Sequence, residues 1–129
     1  MSQRNSDVTP QLSGLEACSV VEVLSRISGK WAIGILLEAG QRPVRFTELE
    51  RSIDGISRRM LTLTLRNLER DGLLTRTVYP TVPPKVEYVA TELAHELDAP
   101  LRHLADWAQR NRMSIAHARE DYDARAQNA

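Results

Sequence analysis

A single cysteine, a single phenylalanine and three scattered histidines leave this 129-residue chain little with which to do metal or thiol chemistry. Cys18 alone cannot form an intrachain disulfide, and His95, His103 and His117 do not cluster at metal-ligand spacing. No paired carboxylates, nucleophile with a base, or glycine-rich phosphate loop appears, so an enzyme is the poorest fit, and no metal or cofactor is expected. Apolar runs fall well short of the roughly 18 residues of a membrane span, and Met1 to Pro10 is polar, without the apolar stretch of a signal peptide. A cytoplasmic location is therefore expected, with no membrane partner. With 42% hydrophobic residues, the chain can bury one core without covalent staples.

Net charge is also lacking: 17 basic and 17 acidic residues cancel. The cancellation hides a polarity. Between Arg42 and Lys85 nine basic residues face five acidic ones, while both flanks are acidic in balance. The middle of the chain thus offers a surface for an anion.

Periodicity divides the chain into a flexible polar arm (1–17), a central unit (18–90) and C-terminal helices (91–129). Val20, Val23, Leu24 and Ile27 recur at helical spacing after Ser19, an N-cap residue type, and Gly29 closes that helix. A second helix, Lys30 to about Ala39, carries apolar residues on most of its surface and should be central to the core. Arg42 to Arg45 reads as extended. Thr47 and Glu50 then suggest a capping box for a short helix, Glu48 to Ser52. After a tight connection in which Gly55 can take positive φ, Ser57 caps a long helix to about Arg70, closed by Asp71-Gly72. Two helices joined by a short glycine-containing turn are a helix-turn-helix pattern.

On a wheel of 3.6 residues per turn, Leu61, Leu65 and Leu68 of the long helix form one narrow apolar stripe. Arg58, Thr62, Arg66, Arg59 and Arg70 occupy a neighbouring polar arc. A major groove about 12 Å wide admits a helix, and arginine reads guanine O6 and N7 with two hydrogen bonds. The candidate groove contacts are Arg58, Arg59, Thr62 and Arg66. Ser57 and Thr47 are candidates for phosphate at helix N-termini, and Lys30, Arg42 and Lys85 for further phosphates. A solvated helix face would look similar, but Glu69 is the only acid between Ser57 and Arg70. A protein-interaction module without DNA affinity would have to treat the arginine arc as coincidence.

Past Gly72 the period changes to two. Leu74 to Val78 and Val86 to Ala90 alternate around Tyr79-Pro80-Thr81-Val82-Pro83-Pro84-Lys85, which reads as a β-hairpin with a stiff tip. From Thr91 to about Glu120 the pattern is helical again, with a break expected near Asp98 to Pro100. Leu97, Leu101, Leu104, Ala105, Trp107 and Ala108, with Met113 and Ile115 beyond, exceed what one small core needs, which suggests a homodimer interface. The expected fold is mainly α with a small β-hairpin wing, a winged helix-turn-helix dimerising through its terminal helices and binding double-stranded DNA.

Several runs also resemble one known family. Ser28-Gly29-Lys30-Trp31, Phe46-Thr47-Glu48-Leu49, Gly55-Ile56-Ser57, Leu68-Glu69-Arg70-Asp71-Gly72-Leu73 and above all Tyr79-Pro80-Thr81-Val82-Pro83-Pro84-Lys85-Val86-Glu87-Tyr88 resemble the HxlR-type bacterial regulators, relatives of the MarR group. The likeness runs from about Cys18 to Trp107 and departs at Ala94, where the family usually has glycine, and in the tail after Trp107. It implies a winged-helix homodimer on a palindromic operator, acting as a repressor or an activator, with repression the expected sign. It also implies a switch at Cys18, because some members sense oxidants or electrophiles through a cysteine near this position. A thiol just ahead of a helix N-cap is favoured as thiolate, yet free cysteines are commonly buried and inert. A small-molecule effector held between the dimer helices near Trp31 and Trp107 is the alternative.

Overall fold

The structure, a computed structural model, describes residues 19–128. Helices α1 (Val20–Ile27) and α2 (Ala32–Ala39) are followed by the short strand β1 (Val44–Arg45). Helices α3 (Phe46–Ser52) and α4 (Arg58–Arg70) come next, then strands β2 (Leu74–Tyr79) and β3 (Lys85–Ala90). Helix α5 (Glu92–His95) and the long α6 (Asp98–Asn128) complete the described chain. This is a winged helix-turn-helix, mostly helical with one small antiparallel sheet.

Most boundaries follow local chemistry. Ser19 and Ser57 cap α1 and α4, their hydroxyl oxygens accepting from the Glu22 and Met60 amides at 3.2 and 3.1 Å. Helix α2 begins at Ala32, later than the expected Lys30. Gly29, Lys30 and Trp31 instead form a turn closed by the Ala32 amide on the Gly29 carbonyl at 3.1 Å. The capping box of α3 also differs from expectation. The helix starts at Phe46, and Glu48 rather than Glu50 supplies the acid, accepting from the Arg45 amide at 2.8 Å. Thr47 is thus the second residue of the helix and not its cap.

The core is built around α2 and α4. Ile35, Leu36 and Ala39 of α2 pack with Leu61, Leu65 and Leu68 of α4, all buried. Each fully buried leucine contributes about 1.5–3 kcal/mol of apolar burial. The leucine stripe therefore fixes the rotation of α4 about its axis. Beneath these helices lies a sheet of order β1-β3-β2, in which Val44 stands opposite Tyr88 and Leu74 opposite Ala90. The hairpin is as expected, but Arg42 to Arg45 does more than run extended, because Val44–Arg45 adds a third strand.

Thr91 locks the sheet to the end of α4. Its hydroxyl donates to the Gly72 carbonyl at 2.7 Å and accepts from the Ala94 amide at 3.3 Å, while its own amide reaches the Leu73 carbonyl at 3.1 Å. Gly72 and Gly55 both take positive φ, 79° and 83°, which suits residues without a Cβ. Pro100 falls in the first turn of α6, where a missing N–H removes no intrahelical bond. The expected break is thus placed between His95 and Asp98. Helix α6 passes the expected end at Glu120 and reaches Asn128; Leu101 anchors its start, and its distal half is mostly exposed. No helix among the described residues is long and apolar enough to cross a membrane.

Candidate nucleic-acid interface

The helix-turn-helix is α3, the turn from Ile53 to Ser57, and α4. The turn is braced from behind: the Trp31 ring lies 3.8 Å from where a Cβ on Gly55 would stand, and Ile53 lies 3.8 Å from where one on Gly34 would stand. The indole at the start of α2 thereby supports the connection that sets the angle between α3 and α4. Lys30 stacks its ammonium 4.8 Å over the same ring and remains exposed.

The nine candidate DNA contacts all lie on described residues, but they divide by what already holds them. Arg59 and Arg66 are exposed on α4 and have no carboxylate at ion-pair distance among the described residues. Arg58 is drawn back onto α3. Its Nη1 donates to both Glu50 carboxylate oxygens at 3.0 and 3.3 Å, and its guanidinium stacks 5.0 Å over Phe46. Thr62 is half-buried and donates its hydroxyl to the Arg58 carbonyl at 2.8 Å, so its proton is committed within its own helix. Ser57 is exposed, with its hydroxyl hydrogen still free to donate while its oxygen caps α4.

Arg42 is tied to Glu48 at 3.3 Å and lies 4.0 Å from Glu38. The Arg45 backbone hydrogen bond, reinforced by the Arg42 charge, holds the Glu48 carboxyl below its ordinary pKa. Thr47 is exposed beside it. In the wing, Lys85 reaches Glu87 at 3.5 Å and stacks 5.1 Å over the Tyr79 ring. The Glu87 carboxylate, as hydrogen-bond acceptor and as negative charge, raises the Tyr79 phenol above its ordinary pKa. Tyr79, Lys85 and Glu87 share one sheet face because Tyr79 pairs with Lys85 and Glu87 follows two residues on. At the tip Val82 is fully exposed.

Two features escaped the sequence. Glu87 was visible only as one letter of a motif, and pairing register was needed to place it beside Lys85 and Tyr79. On α4 the polar arc was drawn to one side of the true outward face. Leu63, 49% exposed, and Met60, 39% exposed, belong to that face beside the arginines. A wheel centred opposite the midpoint of the leucine stripe would have found both. Cys18 lies outside the described residues.

Away from this surface, a groove of about 610 Å³ runs between α1, the end of α4 and α5. Val23, Ile27, Leu73, Leu93 and Leu97 line it, and the Arg26–Asp71 ion pair at 3.2 Å crosses its wall. Neither Trp31 nor Trp107 lines this groove. Trp31 is engaged with the helix-turn-helix instead.

Comparison with known proteins agrees with this architecture. The HxlR-like helix-turn-helix family matches residues 26–116, so the match begins after Cys18 and runs past Trp107. The HTH-type transcriptional regulator YtfH of Escherichia coli (strain K12) is 38% identical over 106 residues, covering 82% of this chain and 84% of its own. The solved structure of the transcriptional regulator YtfH from Salmonella typhimurium superposes with a TM-score of 0.72 at 38% identity, over 78% of this chain and 89% of that one. The redox regulator HypR in its reduced form superposes with a TM-score of 0.71 at 40% identity, over 77% and 99% of the two chains.

Proposed function

This chain belongs to the HxlR-like helix-turn-helix family of DNA-binding transcription regulators, and from that premise we propose that it is a repressor acting as a homodimer on a palindromic operator. The observation that carries the reading is the pair Arg59 and Arg66, exposed and without ionic partners among the described residues, on a helix whose rotation the buried leucines fix. Arg59 and Arg66 read base edges in the major groove, and Arg58 and Thr62 contact the same groove nearer its walls. Ser57 and Thr47 donate hydroxyls to phosphate, and Lys30, Arg42 and Lys85 neutralise further phosphates. Residues 18–90 form the DNA-binding unit, 91–129 the dimerising helices and 1–17 the arm. The protein works in the cytoplasm and catalyses no reaction.

Apolar exposure supports the dimer. Val20 is 74% exposed on α1, and Leu104 and Trp107 are 50% and 51% exposed on α6, apolar surface that a second copy of the chain would cover. A two-fold axis through these helices sets two copies of α4 about 34–36 Å apart, one DNA turn. Selection of bound duplexes from a random pool tests both claims together. Inverted half-sites at that spacing are the expected yield, and a single unpaired half-site would refute the dimer on DNA.

An oxidant or electrophile acting at Cys18 is the proposed signal, and the likeness to HypR, a redox regulator, favours it. Cys18 directly precedes Ser19, the cap of α1, so a modified thiol would bear on a helix of the proposed dimer interface. Repeating the DNA titration with diamide on wild type and Cys18→Ala separates the schemes. Release of DNA by wild type alone is expected, whereas an equal response of the two proteins would end the thiol switch and leave a small molecule, with the α1–α4–α5 groove as its place, as the proposed effector.

A further inference from the structure

Helix α4 carries an apolar side chain at the centre of its outward face. Leu63 is 49% exposed, although three other leucines of the same helix, Leu61, Leu65 and Leu68, are essentially fully buried. Residues three and four apart are neighbours on a helix surface, so Leu63 stands among Arg59, Met60, Arg66 and Asn67. Arg59 and Arg66, like Arg70 at the end of the helix, have no carboxylate partner among the described residues, and they stand one turn to either side of Leu63. Scattered exposed leucines are ordinary on protein surfaces. This one differs in place: the exposed apolar residues of α1 and α6 lie on the helices of the proposed dimer, whereas Leu63 lies between Arg59 and Arg66.

If that face enters the major groove, what Leu63 meets there is defined by the chemistry of base edges. Guanine, adenine and cytosine present polar hydrogen-bonding atoms, and the one apolar group is the C5 methyl of thymine. A leucine against a polar edge would desolvate donors or acceptors without replacing their bonds, whereas against the methyl it removes apolar surface from water on both sides. Arg66 lies seven positions after Arg59, about 10 Å along the helix or roughly three base-pair steps. Leu63 falls between them.

We propose that Leu63 is a specificity-determining residue that packs on the C5 methyl of a thymine in each half-site, between the base pairs reached by Arg59 and Arg66. Met60, 39% exposed and flexible, closes the other side of the contact. The inference rests on α4 being the reading helix, as proposed above.

The test uses the full-length dimer and the operator recovered from the random pool, with each thymine replaced in turn by deoxyuridine, which lacks only the methyl. Wild type should lose about four-fold in affinity per half-site at one position, the value of one buried methyl group. Leu63→Ala should bind the thymine operator weakly by a similar factor and make no distinction between thymine and uracil there. It should keep the thermal midpoint and the salt dependence of wild type, since Leu63 is neither core nor charged. Indifference of wild type to uracil at every thymine, or an unchanged thymine-to-uracil ratio in Leu63→Ala, would overturn the proposal while leaving DNA reading by α4 intact. Failure of wild type to enrich any sequence from the pool would instead overturn the reading on which it rests.

Discussion

Arg58 Nη1 lies 3.0 Å from Glu50 Oε1, an ion pair that bridges the two helices of the helix-turn-helix across its turn. The guanidinium is stacked on Phe46 in the same pose, so an arginine that the polar arc of α4 offers to DNA is partly committed to α3. Glu50 thereby holds a positive charge in place and also sets a negative one beside the proposed DNA surface.

Removing that negative charge should strengthen binding. Glu50→Gln is expected to raise DNA affinity several-fold at low salt and to steepen the plot of log affinity against log salt by up to about 0.9, the increment for one more neutralised phosphate. The cost in stability should be small, within about 0–1 kcal/mol for an exposed pair. Anisotropy titrations across a salt series check it, and an unaltered affinity and slope would mean that Arg58 reaches no phosphate even when released from the Glu50 carboxylate.

Base and phosphate roles separate by mutation. Arg59→Ala should cost about 1–3 kcal/mol on the operator and relax preference at one position of each half-site. Lys85→Ala, at the tip end of the wing's strands, should weaken operator and random duplex alike and flatten the salt slope by about 0.9. Parallel titrations on both DNAs decide between the roles, and interchanged behaviour of the two variants would reverse the assignments.

The two faces of α4 predict opposite responses to the same truncation. Leu65→Ala empties a fully buried position and should destabilise by about 2–5 kcal/mol. Leu63→Ala, on the exposed face, should stay within about 0.5 kcal/mol of wild type. Urea denaturation at fixed protein concentration measures both, and comparable losses would show that α4 is rotated from the orientation described.

Acid should weaken α3 through Glu48. Its carboxyl is held below the ordinary value of 4.5, first by the Arg45 backbone hydrogen bond and then by Arg42. A depressed folded-state pKa means that the unfolded chain takes up the proton first. The stabilisation is therefore present above the unfolded pKa and lost as pH falls through the lower folded value. Glu48→Gln should be less stable than wild type at neutral pH and show a shallower decline below about pH 4.5, the two converging in stronger acid. Melting temperatures from neutral pH into acid would expose a constant offset, which would contradict the linkage.

Local signals explain which parts of the fold could be read in advance. Ser57, Gly55 and Gly72 act on their nearest neighbours, and the cap and the two positive-φ turns lie where their residue types put them. The alternation of Leu74 to Val78 and Val86 to Ala90 likewise gave the wing. Boundaries failed where two residues compete for one role. Glu48 and Glu50 both stand near the start of α3, and only the Arg45 backbone geometry selects Glu48 for the cap and frees Glu50 for Arg58.

The helix opening after Ser57, its leucine stripe and the arginine-rich surface beside it were determined by sequence alone, because helical period and capping are local properties of the chain. Which charges on that surface are available was decided by tertiary structure. Arg58, Arg42 and Lys85 meet acids brought near by packing or strand register, and Arg59 and Arg66 meet none among the described residues. The exact outward face of α4 was decided there too, since the buried core sets the rotation that leaves Leu63 in the open. Ion pairing and exposure depend on distances between elements, and those distances exist only once the core has closed.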